Sequence, residues 1–278
     1  MFAFLAALSQ AGGILVDKII LTRRQVEIHV FTPILFLFLF LLTSLLFPFL
    51  GKVSSELFSP YYLIIFLGML LTAIIWNFFY YRGVRSEKIH EFELIIMAQP
   101  LLTILLATIF LKGERNIHIE IAAFIAAIAL IIAHIRKKHL ELSKASIGLI
   151  IAIIFMSIEL ILIKLLLNVF SPVALYSIRT GIIFIFFYFY FKPQMFRASN
   201  INVLLILLTS FLGVVQMVSK FYGFEQFGVI YTSLILILSP LLVYIISTIF
   251  MHEHLKARTV ISALVILGCI VYATVLGR

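Results

Sequence analysis

Residues 66–114 read FLGMLLTAIIWNFFYYRGVRSEKIHEFELIIMAQPLLTILLATIFLKGE, and residues 207–253 read LLTSFLGVVQMVSKFYGFEQFGVIYTSLILILSPLLVYIISTIFMHE. The two stretches run in parallel at a spacing of about 140 residues. A glycine, a proline and a glutamate keep their places in both, namely Gly83 with Gly223, Pro100 with Pro240, and, after a one-residue gap, Glu114 with Glu253. The chain therefore contains an internal repeat.

The composition indicates that the chain is dissolved in lipid. Of its 278 residues, 64% are hydrophobic and 12% are charged, whereas a soluble domain carries roughly 45–50% apolar and 25% charged residues. The polar residues are too few to cover a surface that faces water.

Ten apolar segments are long enough to cross a bilayer core, which takes about 20 residues per helix. They cover about residues 2–21, 28–50, 60–81, 92–112, 117–135, 145–167, 172–191, 201–222, 229–251 and 257–276. Because the apolar runs are continuous and do not alternate, helices are favoured over a transmembrane barrel. We therefore predict an all-α membrane protein with ten transmembrane helices.

The repeat divides these segments into a first set of five in residues 1–139 and a second set of five in residues 140–278. Because five is an odd number, the second set must enter the membrane from the opposite side. Two inverted five-helix repeats with a solute site at their interface are a recurring architecture of transporters. We expect this fold.

The repeated proline and glutamate lie in MAQPLLTILLATIFLKGER, residues 97–115, and in ILSPLLVYIISTIFMHEHL, residues 237–255. An apolar helix with a proline that ends in Phe-Leu-x-x-Glu or Phe-x-x-Glu resembles the EamA-like family of the drug/metabolite transporter superfamily. The resemblance covers nearly the whole chain. It implies a carrier with a central cavity lined mainly by segments 1, 3, 4, 6, 8 and 9. An arginine early in the second helix of a repeat is also typical of this family; Arg179 fits it, whereas segment 2 has none.

Charged residues inside the segments are functional candidates, because a charge at the bilayer centre costs about 2.5–3.5 kcal/mol. Asp17, Lys18 and Lys164 lie near segment ends, where we expect their side chains to reach the lipid headgroups. Glu159 and Arg179 lie deeper. Glu159 is a candidate site for a coupling proton or cation, and the alternative is a structural ion pair with Arg179 on the next helix.

Segments 3 and 8 carry polar or aromatic residues on equivalent helix faces. Segment 8 has Gln216 and Lys220 between two glycines, and segment 3 has Trp76 and Tyr80, with Asn77 on a neighbouring stripe. Their spacing places each set on one face of a helix. An amide, a cation and aromatic rings suit a pocket for a small amphipathic solute. The alternative is an interfacial aromatic belt with a packing seam of small residues.

The repeated prolines predict a hinge at the same position in each half of the chain. Pro100 and Pro240 each remove one backbone hydrogen bond and bend their helices. Because they are in register, we predict paired hinges for alternating access. Gln99 and Ser239 precede the two prolines, where we expect them to bond the freed carbonyls or to bind the solute.

Several functions lack a sequence signature. The net charge of +9 comes mostly from scattered Lys and Arg, so anchoring to anionic lipid explains it, and no nucleic-acid partner is expected. No Gly-rich loop with Gly-Lys-Ser/Thr is present, so we expect no direct use of ATP and no cofactor. His252 and His254 fall on different helix faces beside Glu253, so we predict neither a metal site nor a catalytic group. Glu114 and Glu253 are interpreted as loop-capping or gating residues.

The leading hypothesis is a secondary transporter that moves a small metabolite or drug-like solute, such as an amino acid, by alternating access. Proton coupling or exchange would drive it. The alternatives are a non-transporting membrane scaffold or receptor subunit, and an intramembrane lipid-modifying enzyme. We expect a multi-pass protein of a prokaryotic plasma membrane, present in the lipid bilayer as a monomer or homodimer.

The orientation stays open. Loops on one side carry 13 Lys and Arg, and those on the other carry 4. The positive-inside rule then places both termini outside, whereas the family resemblance implies that both lie inside.

Overall fold

The computed structural model of the chain describes residues 1–86, 95–96, 98–134, 144–193, 199–243 and 257–276. These ranges contain nine α-helices: α1 (Phe2–Lys18), α2 (Ile28–Leu50), α3 (Pro60–Ser86), α4 (Ala98–Phe110), α5 (Ile117–His134), α6 (Lys144–Leu166), α7 (Pro172–Phe191), α8 (Asn200–Leu236) and α9 (Ala257–Leu276). A π-helical turn, Ile19–Arg23, extends α1, and two 3₁₀ turns cover Ser55–Phe58 and Lys112–Glu114. The predicted all-α class is confirmed.

Six helical stretches in the described ranges are long and apolar enough to cross a membrane: Phe2–Arg23, Ile28–Leu50, Pro60–Arg85, Ser146–Leu166, Pro172–Phe191 and Asn200–Val243. The protein is therefore a multi-pass membrane protein. The predicted count of ten spans is not confirmed by the nine helices of the described part. The difference arises at α8, where segments 8 and 9 run on as one helix with a break at Gly228 (φ 82°, ψ 168°). Only glycine adopts such a conformation without strain.

Local sequence explains where the helices begin and end. α7 begins after Ser171, whose Oγ accepts a hydrogen bond from the Ala174 N–H at 3.4 Å, and Pro172 occupies the first helical position. It ends at Lys192, which is left-handed (φ 45°). The predicted bounds of α2 and α7 agree with the structure, whereas α3 continues to Ser86, five residues beyond the predicted end at 81.

The helices pair across the two halves of the chain. α1 packs against α8 and α3 packs against α6, while α2 contacts α7 and α5 contacts α9. In the sequence repeat, α1 corresponds to α6 and α3 corresponds to the first part of α8. Exchanging the halves therefore converts the first pairing into the second and leaves the other two unchanged.

Side-chain contacts define the two ends of the bundle. At one end, Phe2 at the start of α1 stacks on Tyr222 of α8, with ring centres 5.2 Å apart. Close by, Lys164 near the end of α6 donates to the carbonyl of Phe224 at 2.5 Å. α1 therefore begins at the end of the bundle where α6 finishes.

The opposite end holds the reverse arrangement. Lys18 at the end of α1 donates to the carbonyl of Val84 at the end of α3, at 2.7 Å. The neighbouring Gly83 lies so close to Leu149, near the start of α6, that a Cβ at this position would overlap the leucine side chain. α1 and α6 thus run in opposite directions through the bundle.

Candidate functional site

A central cavity of about 120 Å³ lies between α1, α2, α3, α4, α6, α7 and α8. This volume holds several water molecules or a small solute. The walls are mainly apolar, with polar side chains from both halves of the chain: Gln10, Asp17, Trp76, Asn77, Tyr80, Tyr81, Gln99, Glu159, Tyr176, Arg179, Thr209, Gln216 and Lys220. A concave apolar site with a few converging polar groups is the usual form of a small-molecule site.

Most of the residues proposed from the sequence surround this cavity. The predicted substrate-binding residues that line it are Trp76, Asn77, Tyr80, Gln99, Gln216 and Lys220. The predicted charged pair, Glu159 and Arg179, lines it as well. Ser239 is buried but does not contribute to the lining. That these residues bind a solute stays a prediction.

Glu159 organises the middle of the cavity. Its Oε1 accepts a hydrogen bond from Arg179 Nε at 2.6 Å, and its Oε2 accepts one from Trp76 Nε1 at 2.6 Å. Glu159 is 1% exposed and Arg179 is 2% exposed. The ion pair that the sequence left as an alternative is therefore formed, with Trp76 as a third member.

Arg179 retains an unused donor. Its Nη2 atom is buried and has no hydrogen-bond partner among the described residues. The guanidinium carbon lies 5.9 Å from the ring centres of both Trp76 and Tyr176. A buried N–H group without a partner is costly, and this one belongs to a residue that lines the cavity. It is available to an acceptor on a bound molecule.

Lys220 adds a second buried cation to the cavity wall. It is 5% exposed, and within the ranges that the structure describes its ammonium group has no hydrogen bond or ion pair. Glu159 lies within electrostatic range of Lys220 but already pairs with Arg179, so two cations share one carboxylate in this part of the cavity. An anionic group on a solute would balance the second cation.

Asp17 is a cavity residue that the sequence reasoning misplaced. It is 8% exposed, lines the cavity, and accepts a hydrogen bond from Thr209 Oγ1 at 2.6 Å. The prediction that Asp17 reaches the headgroups is therefore wrong, and the π-helical turn beyond α1 is the reason, because it places Asp17 more than a turn inside the span. Lys18 and Lys164 are only partly buried and donate to backbone carbonyls of neighbouring helices, so for these two residues the headgroup contact stays a prediction.

The prolines and their neighbours are only partly explained. Pro100 is the third residue of α4, and Pro240 lies in the helical residues 238–243. The break that the structure shows lies at Gly228, so the paired proline hinges stay a prediction. Gln99 Nε2 donates to Thr103 Oγ1 at 2.8 Å.

Glu114 caps the second part of α8. Its Oε2 accepts a hydrogen bond from the Val229 N–H at 2.6 Å, and its Oε1 lies 3.2 Å from Lys164 Nζ. This geometry fits the predicted capping role. Its repeat partner Glu253 lies outside the described residues, as do His252 and His254. The boundary between residues 139 and 140, the start of segment 4 at 92–94 and the end of segment 9 at 244–251 also lie outside them.

The described part of the chain contains no cluster of three or more His, Cys, Asp or Glu side chains that could hold a metal ion.

The sequence profile of the EamA-like transporter family matches residues 1–135 and 143–275. The chain belongs to the EamA-like transporter family. Like other members, this EamA-like protein is a membrane transporter of small solutes, which fits a protein that is not an enzyme. It is embedded in lipid and has a small molecule as its partner.

No curated protein matches this EamA-like chain. A solved structure described only as "Crystal structure of protein" superposes with a TM-score of 0.77 over 99% of this chain and 96% of its own, at 15% sequence identity. That likeness concerns the fold alone.

Proposed function

We propose that this EamA-like protein is a secondary transporter that moves a small carboxylate-bearing solute, such as an amino acid, by alternating access. The observation that carries the proposal is the pair of cations in the cavity. Arg179 presents an unused N–H group, and Lys220 forms no hydrogen bond or salt bridge among the described residues. Both line the same cavity.

A carboxylate suits these two residues for a physical reason. Hydrogen bonds between ionised partners are shorter and about twice as strong as neutral ones. Trp76 and Tyr176 flank the guanidinium group, so an apolar or aromatic body of the solute has surfaces to pack on. A cavity of this size accommodates a metabolite with few heavy atoms, and a larger solute requires the cavity to open.

Alternating access requires two halves that move against each other, and the helix arrangement supports this. α1 and α6 occupy equivalent places in the sequence repeat and run in opposite directions. The pairings α1–α8 and α3–α6 exchange when the halves, residues 1–139 and 140–278, are swapped. We infer ten spans in two inverted repeats, with the break at Gly228 separating the eighth span from the ninth.

Glu159, the candidate coupling site, is fully engaged within the protein. Both oxygens of Glu159 are held by Arg179 and Trp76. A carboxylate engaged in this way positions the arginine and the indole ring. We therefore infer a positioning role for Glu159, with transport by exchange or by coupling through another residue.

Substitution of Lys220 tests the proposed function. The purified protein is reconstituted in vesicles, and uptake is screened with amino acids and with amines that lack the carboxylate, with and without a pH gradient. For a transported amino acid, Lys220→Met should raise the half-saturating concentration about 10- to 100-fold, since a charged hydrogen bond contributes about 1.5–3 kcal/mol. Lys52→Met, which replaces an exposed lysine, is the matched control.

Two outcomes contradict the proposal. If the Lys220→Met variant transports a carboxylate solute as well as the unmodified protein does, Lys220 is not part of the binding site. Transport restricted to amines without a carboxylate group would exclude the proposed substrate class.

A further inference from the structure

The cavity has an acidic end that the proposed function does not use. Asp17 lines the cavity beside Tyr80 and Tyr81 of α3, which lie within electrostatic range of its carboxyl group. Among the residues that the structure describes, its one hydrogen bond comes from the neutral hydroxyl of Thr209. No cation forms an ion pair with Asp17 among the described residues.

This arrangement is unbalanced in charge. A carboxylate that is buried without a cation carries a large desolvation cost. A single hydroxyl donor offsets only part of that cost. Because the carboxyl group faces a cavity, a positive charge that enters the cavity can remove the remainder.

The acidic end of the cavity at Asp17 is separated from the basic end at Lys220. Asp17 accepts a hydrogen bond from Thr209, and Lys220 follows Thr209 by eleven residues on the same regular stretch of α8. Eleven residues correspond to about 16 Å along a helix axis. Arg179 and Glu159 occupy the middle of the cavity and neutralise each other. A carboxylate held at Lys220 therefore leaves Asp17 free for a different group.

We propose that Asp17, with Tyr80 and Tyr81, forms a cation-binding subsite of the cavity. It holds either an amine at the far end of an extended solute or a proton that couples transport to a pH gradient. Aromatic rings beside a carboxylate suit an organic cation, because the ring faces attract positive charge. This inference rests on the proposed function, in which the basic end holds a carboxylate.

Trp76 supplies a probe that does not require the natural solute. It is the single tryptophan of the chain. It donates a hydrogen bond to Glu159, and its ring centre lies 5.7 Å from the ring centre of Tyr80. Its fluorescence is titrated with butyrate, butylamine and 6-aminohexanoate in the reconstituted protein. The 6-aminohexanoate ion carries both groups, separated by a flexible chain.

If the occupant is an amine of the solute, 6-aminohexanoate should bind the unmodified protein at least tenfold more tightly than butyrate. Asp17→Asn should abolish this advantage, so that 6-aminohexanoate binds no more tightly than butyrate to that variant. If the occupant is a proton, the amine should give no advantage in either protein. Asp17→Asn should then abolish the pH-gradient dependence of uptake of a transported carboxylate.

The control variants separate binding from structural support. Thr209→Val removes the hydrogen bond but keeps the carboxyl group, so cation binding should persist within about threefold, whereas a purely structural Asp17–Thr209 contact would make both variants equally damaging. Asp17→Glu should retain part of the effect. Glu56→Gln removes an exposed carboxyl group outside the cavity and should change nothing.

The failures are distinguishable. If butyrate binding does not depend on Lys220, the proposed function fails whatever Asp17 does. If butyrate binds through Lys220 but neither amine binding nor pH dependence changes in Asp17→Asn, the cation subsite alone is refuted.

Discussion

Replacing Glu114 should destabilise the break in α8, because the break depends on an ion pair that joins the two halves of the chain. Gly228 interrupts the helix, which frees the Phe224 carbonyl and the Val229 N–H from their usual helical bonds. Lys164 donates to the first group, and Glu114 accepts from the second. Each charge also has the sign that the adjacent helix dipole favours.

The magnitude follows from these contacts. A hydrogen bond to a charged group contributes about 1.5–3 kcal/mol. The side chains of Glu114 and Lys164 are 16% and 23% exposed, so their attraction is partly screened by solvent. We expect Glu114→Ala to lower the free energy of unfolding by about 2–4 kcal/mol, summing the bond with a dipole contribution of about 0.3–1 kcal/mol. Glu114→Gln keeps an acceptor and should cost about half as much.

Unfolding in mixed detergent micelles, followed by Trp76 fluorescence, measures these differences. Combining Glu114→Gln with Lys164→Met in a double-mutant cycle isolates the pair, and the combined loss should be smaller than the sum of the single losses. Glu225→Ala, an exposed glutamate on α8, is the control. A Glu114→Ala variant as stable as that control, or strictly additive losses in the cycle, would refute the account of the break.

Three further substitutions test the interior. Glu159→Gln leaves Arg179 buried without a counter-charge and should lower the free energy of unfolding by about 3–5 kcal/mol, measured in the same assay; a smaller loss than the Glu225 control would contradict it. Gly83→Ala should cost about 1–3 kcal/mol through overlap with Leu149, and unchanged stability would mean that the leucine moves aside freely. Ser239→Ala removes a hydroxyl that has no partner in the described ranges. The free energy of unfolding should therefore change by less than about 0.5 kcal/mol, and the rate of uptake should not change. A loss of uptake would place Ser239 in the binding site.

Much of the fold could be predicted from apolar length because lipid leaves few alternatives to the helix. The segments 28–50 and 172–191 match α2 and α7 in both bounds, since polar or turn-forming residues flank them. The end of α3 was placed too early because the apolar run stops before Arg82, whereas the helix continues to Ser86. Within this last turn Gly83 provides close approach to α6, a role that depends on a neighbour absent from the local sequence.

The site was predictable where the repeat restricted it. Trp76, Tyr80, Gln216 and Lys220 line the cavity as expected from their shared helix faces. Asp17 was considered from the sequence but expected at the headgroups, because distance along the sequence from a segment end does not give depth in the membrane. A signal was present, since the neighbouring residues 12–13 are glycines that let α8 approach α1.

The two lysine contacts provide the strongest structural argument for related halves. Lys18 donates to the carbonyl of Val84, and Lys164 donates to the carbonyl of Phe224. Val84 and Phe224 each follow the repeated glycine by one residue, so the same contact occurs at equivalent positions. The contacts lie at opposite ends of the bundle, whereas two halves in the same orientation would place both at one end. This placement supports the proposed inversion of the two halves, and at each end of the bundle a lysine holds the end of a helix.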